Sequence, residues 1–360
     1  MIRKYILLIL MALGFIEFSF FISSKFTDSK KLTFKKIKLL SESEYEQYIE
    51  KTSDLGWPST KKIQNLKERN DGSCIDVYGD SFIYGLFDGL TEKEIWSHHL
   101  KKSLECKVGN FGISGYGNDQ AFLHFKKNIE KYKNNKIKVL YAVTSINIKR
   151  NLNRFRGLIN GNEFPAGKPR YIAENNELKL IKKDDLSYES YKELYLNRGK
   201  ECPPHEDICE LHSYSNQIST FPYSISIPIS LMSSKKIQVF FKGYSLHQYL
   251  YESNFLNALT IVSQLVKSFN QVLKKGKIKG KVLLIPTLSD IKFALKNDRN
   301  QFENLIEFMR TNKIPYIDFS KEIVNYIKKG NGKPEDYFLR SGHFSKKSHL
   351  LLSSFIARNI

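Results

Sequence analysis

The sequence is poor in the residues and spacings that would indicate a metal centre or a nucleic-acid-binding module. Only four of its 360 residues are cysteine, and they form no Cys-x-x-Cys pair of the kind found in many structural zinc sites. A Cys/His cluster at Cys202, His205, Cys209 and His212 stays open as an alternative, but we expect neither a metal nor another cofactor. Helix-turn-helix, zinc-finger and RNP-like patterns are also missing, which excludes the common nucleic-acid-binding modules.

Acidic residues are fewer than basic ones, 37 against 57, and the formal net charge is +20. The lysines are spread along the chain, so the excess charge indicates a solvated surface rather than a nucleic-acid partner. There is no internal repeat and no low-complexity stretch. A hydrophobic content of 41% with 13% aromatic residues is enough for a sizeable core. The composition therefore predicts a folded chain, and it indicates no particular oligomeric state.

The N-terminus carries an apolar segment behind a basic start. Arg3-Lys4 precedes a run from Tyr5 to Ile22 that is interrupted only by Glu17 and small residues. We predict one helix over residues 1–24 that acts as a signal anchor, with a cleaved signal as the alternative. Because basic residues keep their end in the cytoplasm, the rest of the chain would lie on the extracytoplasmic side, or be secreted after cleavage. Residues 25–70 are interpreted as a tether with packing helices.

Short apolar segments alternate with helical patterns in the rest of the chain. The predicted strands cover residues 75–78, 107–110, 139–144, 281–286 and 314–319. Strands that alternate with helices form a parallel sheet with helices on both faces, so we predict one α/β domain over residues 71–360. The alternation stops at about residues 151–245, which we interpret as a large insertion after the third strand.

Small and polar residues follow the predicted strands at the points where these end. Gly79-Asp80-Ser81 follows the first strand, Gly112 the second and Asn147 the third, and His343 lies in a loop after the fifth. The carboxyl ends of parallel strands meet at one edge of the sheet, where α/β proteins bind ligands. We therefore interpret Ser81 as a candidate nucleophile and His343 as its base. The N–H groups of Gly112, Asn147 and Ser81 are the candidate oxyanion donors.

This order of residues resembles the SGNH (GDSL) hydrolase family over roughly residues 72–150 and 278–360. The family's first block is present as Gly79-Asp80-Ser81, and Gly112 matches the glycine of the second block. Only Asn147 is kept from the third block, Gly-x-Asn-Asp. The resemblance implies a flavodoxin-like three-layer sandwich with a five-stranded parallel sheet. It also gives Ser81, His343, Gly112 and Asn147 the roles above, while Asp80 orders the turn through backbone hydrogen bonds.

The chain also resembles exported, membrane-associated members of that family that accompany cell-surface polysaccharide systems. The resemblance is carried by Gly115–Gln120, by Arg150-Asn151 and by Lys168-Pro169-Arg170. It implies an ester hydrolase or acyltransferase acting on acylated carbohydrate. The alternative is a carbohydrate-binding or scaffold protein that kept the fold and lost activity.

The group that orients His343 is left open by the sequence. The family's last block is normally Asp-x-x-His, but here Arg340 and Ser341 occupy the positions before the histidine. A Ser–His dyad supported by a backbone carbonyl is the interpretation we favour. Asp336, or Glu335 beside it, is the alternative orienting acid, and loss of activity is the third.

The even number of cysteines allows two disulfides in an exported chain. Cys74 and Cys106 stand just before the first and second strands, which are neighbours in the fold that the resemblance implies. We therefore predict that their Cα atoms lie within the roughly 7 Å that a disulfide can bridge. Cys202 and Cys209 are the second candidate pair, closing a short loop.

Overall fold

The structure is a computed structural model that describes residues 12–22, 39–56, 73–133, 136–160, 165–175, 177–196, 204–207, 224–225, 239 and 244–360. The chain divides into two compact units. One comprises Met1–Gln47, Phe155–Gly167 and Asp185–Leu246, and the other comprises Tyr48–Arg154, Lys168–Asp184 and His247–Ile360. The second unit contains every candidate site residue.

The described part of the chain contains a set of strands that we number in chain order. They are β1 (Ser73–Gly79), β2 (Lys107–Gly112), β3 (Lys138–Thr144), β4 (Arg170–Glu174), β5 (Glu177–Ile181), β6 (Gly280–Ile285) and β7 (Tyr316–Asp318). The α-helices are numbered in the same way. They are α1 (Glu42–Glu50), α2 (Ser81–Tyr84), α3 (Trp96–Leu104), α4 (Asn118–Lys127), α5 (Asn147–Arg150), α6 (Gly157–Asn160), α7 (Tyr188–Leu196), α8 (Leu246–Ser253), α9 (Ala258–Gly276), α10 (Leu288–Asn297), α11 (Glu303–Thr311), α12 (Phe319–Lys328) and α13 (Lys346–Asn359). Short 3₁₀ turns lie at Glu92–Glu94, Ile129–Tyr132, Phe255–Asn257 and Pro334–Tyr337.

The central sheet has five strands in the order β2-β1-β3-β6-β7, and all of its pairings are parallel. The strands coincide with the five apolar segments predicted from the sequence, so the five-stranded parallel sheet is confirmed. This is a doubly wound order, in which β2 lies on one side of β1 and the later strands β3, β6 and β7 follow on the other side. The carboxyl ends of β1 and β3 therefore lie side by side at the centre of one edge.

Alternate residues of the central strands face opposite layers. Val77 and Leu140 belong to a buried cluster that also includes side chains from α3, α10, α12 and α13. Tyr78 and Tyr141 point the other way, where the Tyr141 ring lies 5.1 Å from that of Phe269 in α9. Near-continuous apolar strands suit a sheet that is covered on both faces, and the result is three layers.

The predicted pairing of Cys74 with Cys106 is confirmed. The two form a disulfide with Cα atoms 6.1 Å apart, because parallel pairing of Ser73 with Lys107 places the two strands at the same height. The second candidate pair, Cys202 with Cys209, lies outside the described residues. Of the alternative Cys/His cluster, only His205 is described.

The region interpreted as an insertion contains a hairpin that the sequence analysis did not predict. Strands β4 and β5 pair antiparallel, with Tyr171 opposite Leu180. Asn175 in the turn adopts a left-handed backbone with φ of 52°, which asparagine tolerates better than most residues. In the other unit, α1 and α7 pack through Tyr45 and Tyr191, whose rings stack at 4.4 Å.

The N-terminal segment is described only over residues 12–22, which are helical. Its large apolar side chains are exposed, and Phe15 keeps 73% of its surface accessible. Within the ranges that the structure describes, no helix is long and apolar enough to cross a membrane. Residues 1–11, the first half of the predicted anchor, lie outside those ranges.

Candidate active site

Ser81 lies at the first position of the short helix that follows β1. Asp80 is the N-cap of α2, and its side chain accepts a hydrogen bond from the Phe82 N–H. The Asp80 carbonyl accepts from Tyr84 N at 2.9 Å, and Gly85 ends the helix in the left-handed conformation with φ of 81°. A strand that turns at once into a capped helix fixes the direction of the Ser81 side chain at the carboxyl edge of the sheet.

Gly112 is required because the backbone of α2 lies against it. A Cβ atom at Gly112 would be 2.2 Å from the backbone nitrogen of Tyr84, a contact that cannot be relieved by moving a side chain. Gly79 is constrained in a similar way, since a Cβ there would be 2.5 Å from Ile83. These contacts explain why glycines end β1 and β2 at the point where the candidate nucleophile is placed.

Asp80 connects the loops that follow β1 and β3. The carboxylate is fully buried and accepts from the Thr144 hydroxyl and the Asn147 amide, each at 3.0 Å. Arg150 approaches the same carboxylate at 3.3 Å. The sequence analysis assigned Asp80 to turn ordering only, whereas its side chain also holds the third candidate block in place.

Arg150 fixes the orientation of the Asn147 amide. Its guanidinium donates to Asn147 Oδ1 at 2.7 Å and to the Tyr116 carbonyl at 2.9 Å, while Asn147 Nδ2 donates to Asp80. The oxygen and nitrogen of the amide therefore each have a distinct partner. This arrangement leaves the second hydrogen of Nδ2 as the one that can donate to a substrate oxygen.

The predicted oxyanion donors differ in their availability. The Gly112 N–H donates to the side-chain oxygen of Asn110 at 3.0 Å, so it is already engaged in this structure. The Gly112 N–H would therefore have to release Asn110 before it could donate to a substrate oxygen. The Ser81 N–H is at the first turn of α2, where no intrahelical acceptor exists.

His343 lies beside Phe82, the residue that follows Ser81 in sequence, and beside Phe87. Its ring is stacked on Phe87, with centroids 3.7 Å apart and an interplanar angle of 2°, and the Phe82 ring is at 5.3 Å. Burial lowers the pKa of His343, Asp80 and Asp88 oppose that shift, and Arg150 adds to it. The net pKa is below the ordinary value, so the ring is neutral at pH 7 and has a lone pair available to accept a proton.

The imidazole contacts a hydroxyl and not one of the two acids proposed from the sequence. His343 Nδ1 lies 3.1 Å from Ser341 Oγ. Asp336 instead accepts from the Lys333 N–H at 2.8 Å and caps a 3₁₀ turn, and Glu335 forms an ion pair with Lys292. Asp336 thus bonds within its own turn and Glu335 bonds to α10, whereas Ser341 is the direct neighbour of the ring.

The three segments that carry the resemblance to exported family members come together at one end of α4. Asp119 of the first segment forms a fully buried ion pair with Lys168 of the third. The Asp119 N–H lies 3.4 Å from the side-chain oxygen of Asn151, in the second segment. Gln120 donates to the Leu55 carbonyl at 2.7 Å. These contacts are buried, so they stabilise the loops around the site.

A second buried acid supports the turn that carries Asn147. Asp290 accepts hydrogen bonds from the hydroxyls of Ser145 and Thr287 and lies 2.8 Å from His247 Nε2. Burial acts to raise the pKa of Asp290, but the charge of His247 and these hydrogen bonds outweigh it, so the pKa lies below the ordinary value. This network joins the loop after β3 to the loop after β6, and the sequence analysis did not identify it.

Comparisons with known proteins provide no close relative. No family model matches the sequence, and no curated protein matches it. The chain is structurally similar to three solved proteins, each with 12% sequence identity and covering 79% of this chain. They are a lipolytic protein of the G-D-S-L family from Desulfitobacterium hafniense (TM-score 0.35, 98% of that chain covered), another from Veillonella parvula (TM-score 0.36, 96% covered) and a lipase/acylhydrolase from Enterococcus faecalis (TM-score 0.36, 93% covered).

Sequence reasoning thus located the loops of the site and missed several of the contacts inside it. The sequence assigns no role to Arg150 or to Asn110. Arg150 could have been singled out as an arginine three residues after Asn147 at the end of a buried strand. Asn110 could have been found from its position two residues before Gly112.

Proposed function

We propose that the protein is a serine ester hydrolase or acyltransferase that uses Ser81 and His343. The observation that carries this proposal is the contact of the His343 ring with Phe82, the residue that follows Ser81. The charge of Asp80, the residue before Ser81, also raises the pKa of His343. A base within hydrogen-bond reach activates a serine hydroxyl, and the proposal gives His343 that role.

The reaction follows from the hydrogen-bonding capacity of these groups. The Ser81 Oγ forms a bond to the ester carbonyl carbon while its proton passes to His343 Nε2. The negative charge on the carbonyl oxygen is stabilised by the Ser81 N–H and the Asn147 amide. The ester C–O bond then breaks, and the leaving alkoxide takes the proton from His343. Water or a sugar hydroxyl next gives its proton to His343 and attacks the acyl carbon. The bond between the acyl carbon and Ser81 Oγ then breaks, and His343 returns the proton to Ser81.

The choice between hydrolysis and transfer depends on which acceptor reaches the acyl-enzyme, so both outcomes share one site. We propose acylated carbohydrate or cell-surface polysaccharide as the substrate class, on the resemblance described under Sequence analysis. The Cys74–Cys106 disulfide supports an oxidising, extracytoplasmic location. The exposed apolar side chains of residues 12–22 support membrane association through the N-terminal segment.

A catalytically impaired binding or scaffold protein is the second candidate function. It is favoured by the engagement of the Gly112 N–H with Asn110 and by a histidine whose Nδ1 contacts a hydroxyl instead of a carboxylate. A directly bonded aspartate is worth roughly 10⁴ in turnover in enzymes that have one. Low turnover is therefore compatible with the first candidate, and complete absence of turnover defines the second.

Hydrolysis of p-nitrophenyl acetate by the full chain distinguishes the enzymatic function from the binding or scaffold function. The proposal predicts turnover above background that is lost in Ser81→Ala and in His343→Ala. Ser289→Ala is a control serine near the loop after β6. Equal rates for the wild type and Ser81→Ala, with both folded, would contradict the enzymatic proposal.

A further inference from the structure

The loop that follows α2 contains an acidic residue directed at the turn that carries His343. Asp88 accepts a hydrogen bond from the Ser341 N–H at 3.2 Å, across a sequence separation of 253 residues. Hydrogen bonds from the Ser341 side chain and backbone hold the pKa of Asp88 below its usual range. The carboxylate is therefore charged at neutral pH, and it is bonded to the residue that contacts the imidazole.

The direction of the hydrogen bonds follows from the chemistry of the groups. The Ser341 N–H is bonded to Asp88. An ionised carboxylate only accepts, so a Ser341 hydroxyl that also bonds to Asp88 has its hydrogen on the side of the carboxylate. The Ser341 oxygen is then left to accept, and its neighbour at 3.1 Å is His343 Nδ1. Nδ1 must carry the hydrogen in this arrangement, which leaves Nε2 unprotonated. That tautomer is the one required of a base that takes the proton of Ser81.

The same loop also fixes the plane of the ring. Phe87, directly before Asp88, is stacked on His343. Asp88 and Gly89 adopt left-handed backbone conformations with φ of 50° and 82°, which turn the chain sharply after the stacked ring. Aspartate and asparagine tolerate this conformation better than most residues, so Asp88→Asn preserves the loop while removing the charge.

We propose that Asp88 is the positioning residue for His343, acting through the Ser341 hydroxyl in place of the aspartate missing from the last family block. The proposal rests on the proposed function for its purpose, but the Asp88–Ser341–His343 connection is a property of the folded chain. Asp88 does not contact substrate and does not exchange a proton. It fixes the tautomer and stabilises the imidazolium that forms when Ser81 is deprotonated.

The charge on His343 responds to a defined set of neighbours. Asp88 and Asp80 favour the protonated ring, whereas burial and Arg150 disfavour it. Removing the Asp88 charge must therefore lower the pKa of His343. Ser341→Ala must allow both neutral tautomers of His343, because the acceptor of the Nδ1 hydrogen is lost.

Long-range ¹H–¹⁵N spectra of the full chain labelled with ¹⁵N-histidine test this connection without any need for activity. The eight histidines are distinguished by the spectrum of His343→Gln. We expect the Nδ1–H tautomer of His343 in the wild type, a lower His343 pKa in Asp88→Asn, and a mixture of tautomers in Ser341→Ala. Asp298→Asn is the matched control, since Asp298 is an aspartate with φ of 52° whose carboxylate pairs with Lys328.

Ester turnover supplies the functional readout. We expect Asp88→Asn to reduce kcat by roughly tenfold with little change in KM, less than the roughly 10⁴ of a directly bonded aspartate. The acid limb of the pH profile of kcat/KM should shift to lower pH. Asp88→Glu should keep part of the turnover that Asp88→Asn loses. Adding Ser341→Ala to Asp88→Asn should reduce turnover little further, because both substitutions break the same connection.

Two results would overturn the proposal. The first is an unchanged His343 pKa and tautomer in Asp88→Asn when the control is also unchanged. The second is an effect of Asp336→Asn on His343 that Asp88→Asn lacks, which would return the role to Asp336. Failure of the proposed function has a different signature, since Ser81→Ala would then retain wild-type turnover whatever the spectra show.

Discussion

A buried aspartate in β1 and another directly after it allow the role of Asp80 to be separated from its contribution to stability. Asp76 lies in the middle of the strand and Asp80 follows its carboxyl end, and both are fully buried. Asp76 accepts from the Tyr132 hydroxyl at 2.8 Å and from Lys131 at 3.0 Å. Asp80 accepts from Asn147 and Arg150. Each aspartate is thus paired with one cation and with neutral donors.

Replacing either aspartate by asparagine turns an acceptor oxygen into an NH₂ group that faces donors. Breaking a buried ion pair from one side costs about 3–5 kcal/mol. The side chains of Arg150 and Lys131 keep 17% and 20% of their surface accessible, so each remaining cation stays partly hydrated. We therefore expect the lower end of that range, about 3 kcal/mol, for Asp80→Asn and Asp76→Asn alike.

Catalysis should distinguish the two variants. Asp80→Asn releases Asn147 and Arg150 and should reduce ester turnover by roughly 10²–10³, the range found when one oxyanion donor is lost. Asp76→Asn should leave turnover within about threefold of the wild type, since its partners lie at the opposite edge of the sheet. Urea unfolding gives the stability of each variant, and p-nitrophenyl acetate hydrolysis is measured without denaturant. Similar turnover in both variants after correction for the folded fraction would refute this account of Asp80.

Three further predictions follow from individual contacts. Gly112→Ala should prevent α2 from docking and abolish ester turnover, because its Cβ would be 2.2 Å from Tyr84 N; wild-type turnover would contradict this. His349 is buried, and burial lowers its pKa to about 4. The stability that it contributes as a neutral ring is therefore complete above about pH 6.5 and is lost as the pH falls toward 4. His349→Leu should flatten this acid dependence of the unfolding free energy, and an unchanged slope would count against it. Replacing both Cys74 and Cys106 by serine should cost about 2–5 kcal/mol in urea unfolding, and a smaller loss would show that the disulfide adds little to the sheet.

The central sheet could be predicted because its strands are short apolar runs. Val139–Thr144 is hydrophobic at nearly every position, as expected for a strand covered on both faces, and its observed range differs by one residue. The candidate site loops followed from the ends of these strands. Their position needed only the rule that carboxyl ends of parallel strands share an edge.

Other features depend on backbone conformations that sequence patterns do not specify. The apolar residues of 246–274 recur at helical spacing, but the helix is broken by left-handed residues at Asn254, Leu256 and Asn257, and the leucine gives no sequence signal for such a turn. The capping box at Thr91 begins a 3₁₀ turn, and α3 starts only at Trp96. Hairpin β4–β5 carried a usable sequence signal in the two consecutive asparagines between two strand-like segments.

Long-range polar contacts were the least predictable part of the site. Asp88 and Ser341 are far apart in sequence, and Asp88 belongs to no recognised block. Their contact depends on the left-handed turn at Asp88 and on the stacking of Phe87 against His343. The sequence therefore indicated Asp336 and Glu335 as candidate orienting acids, because they are near His343 in sequence. In the structure they bond to Lys333 and Lys292.

Covalent labelling by a fluorophosphonate probe tests the central claim most directly, since the probe reacts only with an activated serine. The full chain is treated with the probe, digested, and the modified peptide is identified by mass spectrometry. We predict a single adduct on Ser81 that is absent from Ser81→Ala and strongly reduced in His343→Ala. Absence of labelling at Ser81 in the folded wild type, or equal labelling in His343→Ala, would contradict the assignment of Ser81 and His343 as nucleophile and base.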